Sequence, residues 1–148
     1  MASQLLEFLE GRNEKAQGLD WDAKKRDWVD AVPVLYSTIR SLLKTSTDKG
    51  IVTIREVSIE VTEDFIRTYT LPELRLTVGA DRVSFTPIGA NVVGALGRVD
   101  MKGDRDQFVL LWTGGNDWQV VVQRVPDLIL IPLDEESLLD RLQRAMAP

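Results

Sequence analysis

The sequence contains no cysteine and no histidine. Their absence excludes thiolate and imidazole chemistry: no Cys or His nucleophile, no His general base, no disulfide, no iron–sulfur ligation and no ordinary zinc site. Long apolar runs are missing too. Runs such as residues 31–36 and 108–112 fall far short of the ~20 residues of a membrane span. The start, Met1-Ala2-Ser3-Gln4-Leu5-Leu6-Glu7, has neither the positive charge nor the apolar stretch of a secretory signal. No membrane partner and a cytoplasmic location are expected, the latter also fitting zero cysteines. Positive charge is in deficit: 18 Lys and Arg against 23 Asp and Glu give −5. That balance repels phosphate backbones, so no nucleic-acid partner is expected.

What is present describes a globular chain. Its 148 residues, 44% hydrophobic and 28% charged, match one domain of ordinary size with enough chain to bury a core. The hydrophobic period divides it into a helical part over 1–49, an antiparallel sheet over 50–132 and a terminal helix over 133–148.

Ser3 caps a short helix expected to end at Gly11, and residues 12–19 read as a linker. Asp20 caps the next helix. Trp21, Trp28, Leu35 and Leu42 recur every seven residues with Val32 and Ile39 between them, one apolar stripe that runs to residue 43. Pro33 interrupts the stripe and predicts a kink or two consecutive helices. Residues 45–50 read as a loop.

Beyond Ile51 the period falls to 2. Val57, Ile59 and Val61 alternate with polar residues, out of phase with Val52 and Ile54, which predicts a bulge or break near Arg55-Glu56. Leu74, Leu76 and Val78 lead into a turn at Gly79-Ala80-Asp81, with Val83 and Phe85 returning as a hairpin. Pro72 and Pro87 are expected at strand ends or sheet edges. Gly89, Gly94, Gly97 and Gly103 predict a bent or closely approached strand around 97–103. The strands 108–113 and 118–124 flank the hairpin loop Gly114-Gly115-Asn116-Asp117, and 128–131 forms one more strand before Pro132. Asp134 caps the last helix, with Leu138, Leu139, Leu142 and Met146 as its apolar face. The sum is an α+β chain: N-terminal helices, a curved antiparallel sheet or partly open barrel of about seven or eight short strands, and a C-terminal amphipathic helix. By analogy the layout is pleckstrin-homology-like, which licenses no function.

Few residues suggest chemistry. Arg98 and Asp100 share one strand face and could form a polar pair at the floor of a binding site. Trp112 and Trp118 flank the hairpin loop and read mainly as core, with an interface role as the alternative. Asp100, Asp104 and Asp106 surround the turn at Gly103, but the spacing fails the calcium-loop pattern and Lys102 and Arg105 would stand among the ligands. No metal, cofactor or catalytic residue is expected. The glycines from Gly89 to Gly97 lack the phosphate-loop ending. Lys24-Lys25-Arg26 is the one basic cluster along the chain, and Asp22, Asp27 and Asp30 surround it.

The stretch from Leu74 to Asp100, with Val83-Ser84-Phe85-Thr86-Pro87-Ile88-Gly89 and Gly97-Arg98-Val99-Asp100, resembles small bacterial proteins of unknown function. That resemblance takes in Trp28 and the Gly50 loop, implies a bacterial source, and carries over no site and no partner. The function expected from the residues is a non-enzymatic protein-interaction module of adaptor or immunity type. It would contact another protein or itself, as a homodimer through the N-terminal helices or a sheet edge. Two alternatives stand beside it: a small-ligand domain using the concave face of the sheet, and a hydrolase working with carboxylates alone.

Overall fold

The computed structural model describes residues 4–17, 20–92 and 95–146, with the backbone alone over 11–17. Helices α1 (Gln4–Gln17), α2 (Trp21–Leu42) and α3 (Lys44–Asp48) precede seven strands, and α4 (Glu135–Ala145) follows them. The strands are β1 (Thr53–Glu63), β2 (Arg67–Val78), β3 (Asp81–Gly89), β4 (Gly97–Lys102), β5 (Gln107–Gly114), β6 (Asp117–Gln123) and β7 (Ile129–Pro132). They form one antiparallel sheet in sequence order, left open because β1 and β7 do not pair. The α+β layout read from the periodicity is the observed one.

Helix α1 continues through Gly11, where an end was expected. One interior glycine costs about 1 kcal/mol relative to alanine, and the Glu, Lys, Ala and Gln that follow favour a helix. Residues 18–19 of the expected linker lie outside the described residues. Helix α2 runs through Pro33 as one element, capped by the Asp20 side chain on Ala23 N at 3.0 Å. Pro33 is exposed, so the carbonyl it leaves without a donor opens toward water. The loop expected after it contains the single turn α3.

The out-of-phase apolar sets of β1 need no bulge. The β1–β2 register is unbroken from Thr53↔Thr77 to Glu63↔Arg67. Strand β2 changes phase at the same level, with Tyr69 and Leu71 buried before Pro72 and Leu74 and Leu76 buried after it. Both strands of the ribbon turn over together at the Ser58↔Pro72 pair. Nor do the prolines mark sheet edges. Pairing of β2 with β3 stops at Leu74↔Phe85, so Pro72 and Pro87 both lie beyond it, where neither owes a ladder donor to the other strand. The Tyr36 hydroxyl fills this gap, 2.6 Å from the Pro72 carbonyl and 3.2 Å from that of Phe85.

One face of the sheet is covered by helices. Trp28, Ala31, Val32, Leu35, Tyr36 and Ile39 of α2 are buried against Leu74, Phe85, Val99, Met101, Leu110 and Val120 of the strands. Gly97 lies under the Trp28 ring so closely that an added Cβ would overlap it, the close approach its sequence context predicts. Helix α4 extends the same cover through Leu138 and Ala145, its cap completed by reciprocal Asp134–Ser137 bonds. Its apolar face differs from expectation in one respect. Leu139 is exposed, while Arg141 turns inward to stack its guanidinium 4.7 Å from the centre of the Phe108 ring.

Candidate functional site

The face opposite the helices is where polar chemistry collects. Directly paired residues share a face, so the register places Arg55, Arg75, Ser84 and Lys102 in one row across β1, β2, β3 and β4. Arg82, beside Thr77, stands in the next row. These four cations line a recess of about 600 Å³ with Thr53, Thr77 and Gly103. Two acids share it: Glu73, 3.4 Å from Arg75 Nε, and Asp104. Among the described residues, no carboxylate lies within 4 Å of Arg55, Arg82 or Lys102. Arg55 directly opposite Arg75 is a like-charge pair, which costs stability in an antiparallel ribbon. No sequence cluster announces this patch, because each cation comes from a different strand or row. Its signal is the alternation itself, once the strands are paired.

Arg98 and Asp100 project from β4 on this same outer face. The guanidinium donates from Nε to Oδ1 at 2.6 Å and from Nη2 to Oδ2 at 3.1 Å, and Asp100 is only 5% exposed. Their pairing as a polar unit is therefore real, but it lies on the side away from the helices. The opposite face is packed with the apolar side chains of α2 and α4.

Trp112 and Trp118 lie on the opposite, helix-covered face from that pair. They face each other across β5–β6 and are 7% and 4% exposed. Their rings surround Trp28 at 6.5 Å and 6.1 Å between centres. Trp112 Nε1 donates to the Gly115 carbonyl at 3.0 Å, holding the hairpin loop. The three tryptophans pack the core, and Trp112 also lines a surface recess, beside Asp27, Asp30 and Leu96. Asp104 and Asp106 are exposed on the β4–β5 turn, apart from the outer-face position of Asp100. Among the described residues no group of three or more acids is placed to hold a metal ion, and no helix is long and apolar enough to cross a membrane.

A polar chain that runs elsewhere from the core to the surface is a strut. Trp28 Nε1 donates to Tyr69 Oη at 2.9 Å, and that hydroxyl donates to Glu63 Oε2. Glu63 Oε1 accepts from the Asn91 amide at 2.7 Å, and Asn91 Nδ2 donates to the Asp64 carbonyl at 2.7 Å. Burial, reinforced by the Glu63 bond, pushes the Tyr69 hydroxyl well above the usual tyrosine range, the wrong direction for a general base. The two lysines of the basic cluster seen in the sequence reach into the same region. Lys24 Nζ donates to Asn91 Oδ1 at 3.3 Å, and Lys25 Nζ sits 5.4 Å from the centre of the Tyr69 ring.

Compared with family models, curated proteins and solved structures, the chain matches none.

Proposed function

We propose that the chain is a non-enzymatic binding module that holds an acidic segment of another protein on the outer face of its sheet. The observation that carries this reading is the convergence of Arg55, Arg75, Arg82 and Lys102 on one recess of a molecule whose net charge is −5. A cationic patch kept at the expense of opposed arginines, with three cations lacking internal partners, offers charge-assisted bonds of about 1.5–3 kcal/mol each to incoming carboxylates. A protein partner suits it better than nucleic acid. No aromatic lines the recess for base stacking, and Glu73 and Asp104 at its rim oppose a continuous phosphate chain. Leu5, Leu6, Phe8 and Leu9, all at least half exposed on α1, supply a second apolar surface of the kind protein contacts use.

Fluorescence anisotropy with a labelled oligoglutamate peptide, beside a single-stranded oligodeoxynucleotide of matched charge, tests the proposal. Expected are peptide binding that weakens with salt, and a loss of about tenfold or more, or ~1.4 kcal/mol, when Arg55, Arg75 and Arg82 are together changed to Ala. Equal affinity in that variant, or preference for the oligonucleotide, refutes the reading.

A further inference from the structure

The outer face holds a second recess, across β4, β5 and β6, that an acidic partner on the basic row leaves unused. Strand β5 is apolar on both sides. Leu110 and Trp112 meet the helices, while Val109 and Leu111, pointing the other way, are 7% and 6% exposed. A sheet face left to water normally alternates to polar residues. Here Val109, Leu111 and Val121 instead floor a recess of about 490 Å³, rimmed by Val92 from the β3–β4 loop and Leu128 from the β6–β7 loop. That volume lies within the ~300–1,000 Å³ typical of small-molecule sites.

The charged groups that line this recess have one sign, and Asn91 is its one neutral polar residue. Arg98 and Arg124 line it, and no acid does. Asp100 lies beneath and grips Arg98 through two of its donors, so the guanidinium is held in one orientation with further N–H groups still to give. Burying a carboxylate to fix an arginine is costly if the purpose is only to close a sheet face, which apolar residues do better. Among the described residues, no carboxylate lies within 4 Å of Arg124. We infer that this recess is a binding site for a small organic carboxylate with an apolar body, its charge held by Arg98 and Arg124 and its chain lying on Val109, Leu111 and Val121.

The test uses decanoate, decanol and decylamine as probes, followed by methyl-resolved NMR titration and calorimetry. Decanoate is expected to shift the methyl signals of Val109, Leu111 and Val121 and to bind about tenfold or more tighter than decanol, with decylamine weaker still. Arg124→Gln is expected to weaken decanoate about fivefold to tenfold and leave decanol unchanged. Val121→Phe, which fills the recess, weakens both, with the melting temperature confirming that each variant is folded. The triple Arg55, Arg75 and Arg82 variant keeps full decanoate affinity, so failure here is separable from failure of the acidic-partner reading. Decanoate binding no tighter than decylamine, wild-type affinity in both Arg124→Gln and Val121→Phe, or shifts confined to the helix-covered face would overturn the inference.

Discussion

Changing Gly97 to Ala adds one carbon to β4 at the point where the strand passes under Trp28. On an ordinary strand the exchange helps, because alanine narrows the unfolded ensemble and stabilises by about 0.4–1 kcal/mol where the backbone suits it. The backbone of Gly97 lies outside the left-handed region, so it raises no objection. The neighbour does. The new carbon would overlap Cε3 and Cζ3 of Trp28 and stand 3.1 Å from Cδ2. The ring has nowhere to go, since Trp112 and Trp118 flank it and its Nε1 is bonded to Tyr69. Overpacking a filled core costs about 1–3 kcal/mol, which exceeds the entropic gain, so the net expectation is a loss of about 1–2 kcal/mol. Urea unfolding followed by tryptophan fluorescence reads this as a midpoint lowered by about 0.5–1 M at unchanged slope. Repeating the substitution in a Trp28→Leu background isolates the cause. The shorter side chain vacates the contested volume, so the penalty should disappear and the double-mutant cycle should show a coupling of about 1 kcal/mol or more. An unchanged or raised midpoint in Gly97→Ala, or the same loss in both backgrounds, would refute the reasoning.

Tyr36 and Tyr69 give the fold an alkaline limit. Burial pushes both hydroxyls above the usual tyrosine value, further helped at Tyr69 by its bond to Glu63. Below pH ~10 folded and unfolded chains both keep these protons and stability is intact; above it the unfolded chain releases them first. Stability should then fall by about 1.4 kcal/mol per pH unit for each tyrosine, seen as urea midpoints dropping steeply above pH ~10, and a midpoint flat through that window contradicts it. Tyr36→Phe removes the donor that serves the Pro72 and Phe85 carbonyls, at an expected cost of about 1–3 kcal/mol near neutral pH. The same variant should halve the alkaline slope, and a variant as stable as the parent would show that water satisfies those carbonyls.

Much of the scaffold was legible because its signals are local. The seven-residue stripe of α2, the turns at Gly79 and Gly115, the Asp134 cap and the close approach at Gly97 each rest on a few neighbouring residues. The errors arise where pairing decides. Pro72 and Pro87 sit inside the sheet because β2 and β3 part company there, and the phase change in β1 is matched by its partner strand. The candidate site was read in part. Arg98 and Asp100 stood out as a pair within one strand, but which face they occupy depends on β5. The basic row stayed hidden because Arg55, Arg75, Arg82 and Lys102 become neighbours only after register is set, whereas Lys24 and Lys25 of the cluster adjacent in the chain are engaged by Asn91, Trp21 and Tyr69. That β5 is covered on both faces, with loops rather than a helix bordering the second, emerges only from the structure.

Because every strand lies beside its successor, the sheet can grow one hairpin at a time, like a folding screen opened panel by panel. Short closures carry little entropic delay, and architectures rich in nearby contacts reach the native state quickly. The exception is α2, made first yet seated against residues from β2 through β6. Its apolar stripe is fully covered only with those panels in place, and Trp28 meets its two partner rings only where β5 and β6 are paired.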